Sequence, residues 1–543
     1  MSKRASPRLW RGSSSVPAIA GAGLFMWLPS KSGPAEACPV SRNQAVSWRS
    51  SLMLKKSLLG LLAALVALAL ALVANTYLKE SKQIAVKAVT HAEIDGLAAA
   101  ERLAAAVRLR TVSYDGKPDH AAAEFLKLHK HLQDAFPLVH RTLKRELVGG
   151  YSLLYTWEGS DPQAKPFMLM AHQDVVPIAE GTEKNWSVDP FAGTIKDGYI
   201  WGRGSWDDKG NLLSMLEAIE TLLAQGFRPR RTIYIAAGHD EEVGGSRGAK
   251  EIAALLAARS VQLDFVMDEG TLITKGVLKG FDKPVALIGV AEKGIMTLSL
   301  STHDEPGHAS MPPRETAIGL LSAALARLEQ NPMPAAIGGV AAEMFDTLAP
   351  EMRGVQRVLL SNLWLFGPLV KRELEKTKSS NAFTRTTSAL TVIHAGNKVN
   401  VVPAHAEALV NVRMLPGDTQ DEVIEHTHAV IDNPSVQVSR QGMVSEASPI
   451  SGTQSGSYRL MNATIREIFP GTIVAPGLMV AATDSRHMLP IADHVYRFSP
   501  VRATEGDLSR FHGTNERISI ENYAEMIAFY HRLIATASQL ATQ

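Results

Sequence analysis

The sequence predicts an α/β fold: a catalytic domain with a largely parallel central sheet and helices on both faces, plus an inserted α+β lid domain. Three observations predict it. Short apolar, β-branched runs alternate with amphipathic helical stretches through the first half of the chain. Several of these runs end in acidic or histidine clusters, the strand ends where open parallel sheets bind ligands. From about Gly294 the pattern changes to the alternation of half-exposed strands.

In chain order, residues 1–52 are rich in Ser, Gly, Pro and Arg and show no periodicity. They read as a disordered extension, or as a start placed too early, because Met53-Leu54-Lys55-Lys56 opens a normal export signal. They carry seven Lys/Arg against one acid, so the formal +2 of the 543-residue chain leaves the rest at −4. The body therefore gives no charge argument for nucleic acid. The single cysteine, Cys38, also lies in the extension. The body can form no intrachain disulfide, and a metal site there must use His, Asp and Glu.

Residues 53–80 form the membrane or signal segment. The run 57–74 has 18 uncharged residues between Lys55-Lys56 and Lys79-Glu80. That length suits one anchor with the lysines on the cytoplasmic side and the body outside the cytoplasm. Cleavage near Ala74 would instead export the body.

Residues 81–293 read as the first part of the catalytic domain. Helices are expected over 82–110, Asp119–Phe136, Asn211–Ala224 and Ser246–Ala258, and strands at Tyr151–Trp157, Pro166–Ala171, Thr232–Ala237 and Phe265–Met267. Residues 294–440 read as the lid, with a β-α-β-β-α-β order. Within it, a long insertion near 340–385 carries the apolar stretch Val358–Phe366. That stretch reads as helix packing or a dimer contact, and otherwise as a greasy acyl site or a surface resting on the membrane. Residues 441–543 return to the α/β pattern and end in a helix over Asn522–Ala537.

The chemistry concentrates at the strand ends. Gly238-His239-Asp240-Glu241-Glu242-Val243-Gly244-Gly245 follows a buried-strand pattern. Adjacent glutamates point in different directions, so one can bind a metal while the other moves a proton. His172-Gln173-Asp174, Asp207, Asp268 and His512 complete a donor set. Each has a structural reading: His-x-Asp as a capped turn, Asp207 and Asp208 as helix caps, Glu242 as surface charge, Asp268 as a turn residue. Their joint occurrence instead describes a binuclear N/O site that can activate water and polarise a carbonyl.

Over residues 90–543, Gly-Arg-Gly-Ser-Trp-Asp-Asp-Lys-Gly (202–210) and His-Asp-Glu-Glu-Val-Gly-Gly (239–245) resemble the cocatalytic zinc metallopeptidases. That family includes glutamate carboxypeptidase, carnosine dipeptidase and aminoacylase. The similarity is greatest to its branch of carboxypeptidase S and N-fatty-acyl-amino-acid synthase/hydrolase. The resemblance implies two Zn²⁺ per subunit, with Co²⁺ or Mn²⁺ as alternatives. It implies His172, Asp207 and Asp268 on one metal, and Asp207, Glu242 and His512 on the other. Glu241 would be the general base and Asp174 the carboxylate orienting His172. A cis peptide is implied at Asp207–Asp208. His487, in Thr483-Asp484-Ser485-Arg486-His487, competes with His512. The His-x-x-x-Glu spacing of His512 and Glu516 favours His512 as ligand and leaves His487 as a pocket residue. On the lid, His308 would stabilise the oxyanion, Arg413 would bind a substrate carboxylate, and Asn400 would line the pocket; each also has a reading as an ordinary turn or strand-edge residue. The implied reaction is cleavage of the amide next to a free C-terminal amino acid, in short peptides or N-acyl amino acids. A dedicated fatty-acyl hydrolase/synthase is the rival enzyme. A non-catalytic peptide-binding protein is the rival from another class, and the intact Glu241 argues against it. The lid could also mediate a homodimer.

Overall fold

The computed structural model describes residues 42–540 except 88, 90 and 91. Cys38 and the expected disorder of residues 1–41 lie outside the described residues. Two compact units divide between Leu68 and Ala69. In the first unit the described residues are helical, and the helix Arg42–Leu78 continues into the second. Residues 42–52, expected to lack structure, form its first turns. No Pro or Gly interrupts the chain between Arg42 and Leu59, so nothing there breaks a helix. The 27-residue stretch Leu52–Leu78 is long and apolar enough to cross a membrane.

The second unit is built on a mixed sheet that has eight strands among the described residues. From one edge the order is Lys144–Val148, Ser152–Trp157, Ile233–Gly238, Phe167–His172, Leu263–Lys275, Ala492–Thr504, Val285–Glu292 and Ile473–Met479. The central pairings of Phe167–His172 with Ile233–Gly238 and Leu263–Lys275 are parallel, as is that of Leu263–Lys275 with Ala492–Thr504. Side-chain alternation shows that both faces are covered. Phe167, Leu169 and Ala171 join one core with the helices Gly96–Val107, Lys209–Ala224 and Ile520–Ala537. Met168 and Met170 join another with the helix Ala249–Ala258.

One expected helix is shorter than its pattern. Over 82–110 only Gly96–Val107 is helical, started by Asp95, whose side chain accepts from the Ala98 amide. Upstream, Gln83 is committed elsewhere. Its side-chain amide donates to the Val474 carbonyl at 2.9 Å and accepts from the Val474 amide at 2.8 Å. A side chain thus satisfies part of the edge strand Ile473–Met479.

The lid is an antiparallel sheet ordered Thr387–Ala395, His405–Met414, Gly294–His303, Val436–Ser445. The helices Ala317–Gln330 and Gln420–Ile431 cover one face and share its core. The expected β-α-β-β-α-β order is present. The insertion, although within the lid's span of sequence, packs elsewhere. Its helices Gly339–Leu348, Gly354–Ser361 and Leu363–Leu374 bury Met344, Phe345, Leu360 and Val370 with Val285, Ile473 and Ala475 of the main sheet.

Candidate active site

Parallel pairing brings the strand ends together. His172 closes its strand directly beside Gly238, and the turn Glu241–Val243 follows. Asp207 lies in the loop before the helix Lys209–Ala224, and His512 in the loop before the strand Arg517–Ser519.

Asp207 is the hub. Its Oδ1 lies 3.0 Å from His172 Nε2, and its Oδ2 lies 2.7 Å from His512 Nε2. Glu269 Oε1 stands 3.4 Å from the same His172 nitrogen, and Glu242 Oε2 stands 3.3 Å from the same His512 nitrogen. The five side chains thus form two imidazole–carboxylate sets that share one carboxylate. Despite the short approach to His512, Asp207 Oδ2 makes no hydrogen bond, and Glu242 Oε1 is likewise buried without a partner. Orphaned buried carboxylate oxygens are costly unless something positive meets them. This donor set fits a pair of divalent cations.

The electrostatics agree. Burial pushes Glu269 up to about 8, and the Asp207 charge adds to the shift. Burial also raises Glu242, with Asp207 reinforcing it. Burial opposes charge on His512, but its contacts with Asp207 and Glu242 raise it to about 10. Burial would raise Asp207 as well, yet the two imidazoles hold it below the ordinary carboxylate range. Negative charge is concentrated here, and only protons or cations can balance it.

The surrounding groups hold this geometry. Asp174 is fully buried and accepts from Ser113 Oγ at 2.7 Å and from the amides of Glu241 and Glu242 at 3.2 Å each. His172 Nδ1 lies 3.0 Å from the Asp174 carbonyl and 3.3 Å from its Oδ1. One carboxylate therefore orients both the His172 ring and the turn that bears the two glutamates. Glu516 performs the parallel task for Asp207. Its Oε1 accepts from the amides of Gly204, Trp206 and Asp207 at 2.8, 3.0 and 3.2 Å. Its Oε2 pairs with Arg203 at 2.5 Å, and Arg203 also donates to the carbonyls of His512 and Gly513. The buried Arg203–Glu516 pair ties the Asp207 loop to the His512 loop. Gly204 has φ +88°, and a Cβ there would come within 2.9 Å of Val175, so the Gly-Arg-Gly turn requires glycine. The Asp207–Asp208 peptide is cis.

Asp268, the expected fifth donor, borders the cluster, with the His172 charge acting on its carboxyl, but among the described residues its side-chain hydrogen bonds go elsewhere. Its Oδ2 accepts from the Ser485 amide at 2.7 Å and its Oδ1 from the Glu269 amide at 2.9 Å. Asp268 turns to Ser485 while Glu269 turns to His172, at the point where the strand's pairing with Ala492–Thr504 shifts register between Asp268 and Thr271. Glu269→Gln is therefore expected to weaken metal affinity by more than the roughly 10–100-fold that loss of an indirect partner costs. Asp268→Asn is expected to cost less. Metal titration of both variants checks this, and the opposite ranking would return the role to Asp268.

Residues 168–536 match the profile of peptidase family M20/M25/M40. The chain belongs to that family. It is 41% identical over 480 residues to the probable carboxypeptidase S-like 2 of Dictyostelium discoideum, covering 87% of this chain and 92% of that one. It is 43% identical over 451 residues to the N-fatty-acyl-amino acid synthase/hydrolase of Mus musculus, covering 82% and 89%. Carboxypeptidase S of Saccharomyces cerevisiae is 31% identical over 495 residues, covering 81% and 84%. Among solved structures, the M20 family metallo-carboxypeptidase of Sulfolobus solfataricus shares the fold, with TM-score 0.61, 17% identity and coverage of 82% and 100%. Human carnosine dipeptidase 1 does so with TM-score 0.56, 17% identity and coverage of 82% and 97%. As an M20-family member the chain is a metal-dependent hydrolase.

On the lid, His308, Asn400 and Arg413 make only local contacts among the described residues and none with the Asp207 cluster. His308 and Asn400 lie on an exposed two-stranded ribbon built from distant parts of the chain, in which Gly307-His308 pairs with Val401-Val402 and the Ala309 amide donates to the Asn400 carbonyl. His308 Nδ1 lies 2.7 Å from Ser310 Oγ. Arg413 is half-buried on the strand His405–Met414, with Nε donating to Asn411 Oδ1 at 3.1 Å. His487 Nε2 lies 3.2 Å from the Gly244 carbonyl, against the glutamate turn. Burial and then Arg486 hold its imidazole down to about 4, which suits a neutral pocket residue.

Proposed function

We propose that the chain is a two-zinc hydrolase that cleaves the amide next to a free C-terminal amino acid, in short peptides or N-acyl amino acids. The observation that carries this reading is the Asp207 carboxylate, set between two imidazoles that each meet a further carboxylate. One metal would take His172, Asp207 and Glu269, with the expected Asp268 as the alternative third ligand. The other would take Asp207, Glu242 and His512. Cobalt or manganese suit the same donors. When bound, such a metal pair polarises a carbonyl and makes a water acidic near neutral pH.

The chain's own groups would then position the reactants and move the protons. Glu241 would take the proton from the attacking water and deliver it to the leaving amine nitrogen as the C–N bond breaks. Among the described residues no hydrogen bond restrains its carboxyl, and burial raises its pKa well above normal, reinforced by Glu269, Asp484 and Glu242 against His172. Asp174 would hold the His172 ring throughout. Arg413 would pair with the substrate's free carboxylate, a bidentate task for a guanidinium. His308 would stabilise the oxyanion, with Asn400 and His487 lining the pocket. For His308 and Asn400 this requires their two-stranded ribbon to approach the cluster. A homodimer through the lid would cover the exposed edge strand Thr387–Ala395.

The 43% identity to the mouse synthase/hydrolase, beside 41% to carboxypeptidase S-like 2, also supports a second reading, a dedicated N-fatty-acyl-amino-acid hydrolase or synthase. The apolar helix supports a membrane anchor with the catalytic body outside the cytoplasm, or export after cleavage. The test is a panel of dipeptides and N-acyl amino acids of increasing chain length, each with a free or amidated carboxylate. Chelator-sensitive turnover that requires the free carboxylate is expected, and Arg413→Lys is expected to raise KM by about tenfold, the scale of one lost charge-assisted contact. Equal turnover of amidated substrates would remove Arg413 from this role. A steep rise with acyl length would favour the lipid-amide reading.

A further inference from the structure

The insertion leaves an apolar face uncovered. On the helix Leu363–Leu374, Trp364, Leu365 and Leu369 are 64%, 39% and 57% exposed. Val355, just inside the preceding helix Gly354–Ser361, is 72% exposed. Leu365, Leu369 and the exposed Arg372 lie on one helical stripe, and Lys371 and Lys376 stand at the same end. Four large apolar side chains with the exposed Arg372 at their margin make a surface that water does not suit, while Lys376 pairs with Glu373.

What covers this face is indicated by what its base holds. Asn362, directly before the helix, is fully buried. Its Nδ2 donates to the Thr76 hydroxyl at 3.0 Å and to the Leu72 carbonyl at 3.3 Å. Its Oδ1 accepts from Asn75 Nδ2 at 3.0 Å and from Trp364 Nε1 at 3.2 Å. Asn75 also donates to the Ser361 carbonyl at 2.7 Å. Arg357 lies 5.4 Å above the Tyr77 ring, and Lys79 pairs with Asp346 at 2.5 Å. The insertion therefore clasps the last turns of the apolar helix, where the uncharged run gives way to Asn75, Thr76 and Lys79. In an anchored chain those residues lie where hydrocarbon meets headgroups. Trp364 is fixed by its N–H to the clasp and leaves its ring exposed, as interfacial tryptophans do.

We propose that Val355, Trp364, Leu365 and Leu369 form a lipid-docking surface that rests on the bilayer into which the Leu52–Leu78 helix inserts, with Arg372 toward anionic headgroups. This rests on the anchor reading above. The docked insertion holds the catalytic unit against the membrane at a second point, so that acyl chains dissolved in the bilayer lie beside the enzyme.

The test uses the full chain in vesicles of phosphatidylcholine with phosphatidylglycerol. In a Cys38→Ser background, nitroxide labels are placed by Leu365→Cys, by Leu369→Cys, by Val399→Cys on the exposed lid turn, and by Ala63→Cys in the apolar helix. Collisions with oxygen, which partitions into lipid, are compared with those of a water-soluble nickel chelate. Labels at 365 and 369 are expected to favour oxygen, shifting toward the value at 63 and away from that at 399. If 365 and 369 match 399 while 63 favours oxygen, docking is overturned and the anchor stands. If 365 and 369 are shielded from both reagents, a second copy of the chain covers the face and lipid docking is overturned. If 63 itself favours the nickel chelate, the anchor reading fails, and docking survives only if 365 and 369 still favour oxygen.

Discussion

Glu241→Gln is expected to lower kcat by on the order of 10²–10⁴-fold while leaving metal content nearly intact. The split follows from the turn that carries both glutamates. The amides of Glu241 and Glu242 are both held by Asp174, so a neutral amide at 241 leaves the backbone and the Glu242 donor in place. Glutamine matches glutamate in volume but cannot accept a proton from water. KM should change little, because the substrate contacts assigned to Arg413 and the lid are untouched. Steady-state kinetics with metal analysis on the same preparation read both quantities. Full activity would remove Glu241 as the base. Parallel loss of metal and activity would instead make it a ligand.

Asp207→Asn is expected to be at least as severe and to differ in kind. Both metal sets share this carboxylate, at 3.0 Å from one imidazole and 2.7 Å from the other. An asparagine offers a single acceptor oxygen and turns an NH₂ toward the second site. Both metals should therefore bind weakly, and turnover should fall on the order of 10³-fold or more as two-metal activation is lost. The fold should persist, because Glu516 holds the loop through the backbone amides of Gly204, Trp206 and Asp207 rather than through this side chain. Circular dichroism with metal analysis checks the pair of outcomes. A variant that keeps two metals and loses only a few-fold in rate would show that Asp207 is not shared.

Much of this site is legible in the sequence because parallel strands collect their ends. His172 and Glu242 come together for the reason that apolar runs ending in polar clusters suggest, since their strands pair in register from Phe167 to His172. The choice between Asp268 and Glu269 is not legible. It depends on which side each faces where the strand's pairing with Ala492–Thr504 shifts register between Asp268 and Thr271, a local irregularity that composition does not report. Glu516 is recognisable only as spacing relative to His512. Its three amide contacts arise from a loop more than 300 residues upstream. Of the one or two helices expected over 82–110, one forms and begins only after Asp95, while Gln83 is held at the sheet edge by Val474, a tertiary contact that local propensity cannot report. The insertion's apolar stretch is visible as composition, but its place against the main sheet and around Leu72–Thr76 is not.

The central claim is that two metals act around Asp207. The most direct measurement is stepwise zinc addition to fully chelated full-length protein, with turnover of an N-acyl amino acid and bound metal followed together. Activity that rises to its maximum only as the second equivalent binds is the predicted result. Full activity in the chelated protein, or saturation at one equivalent, would contradict it.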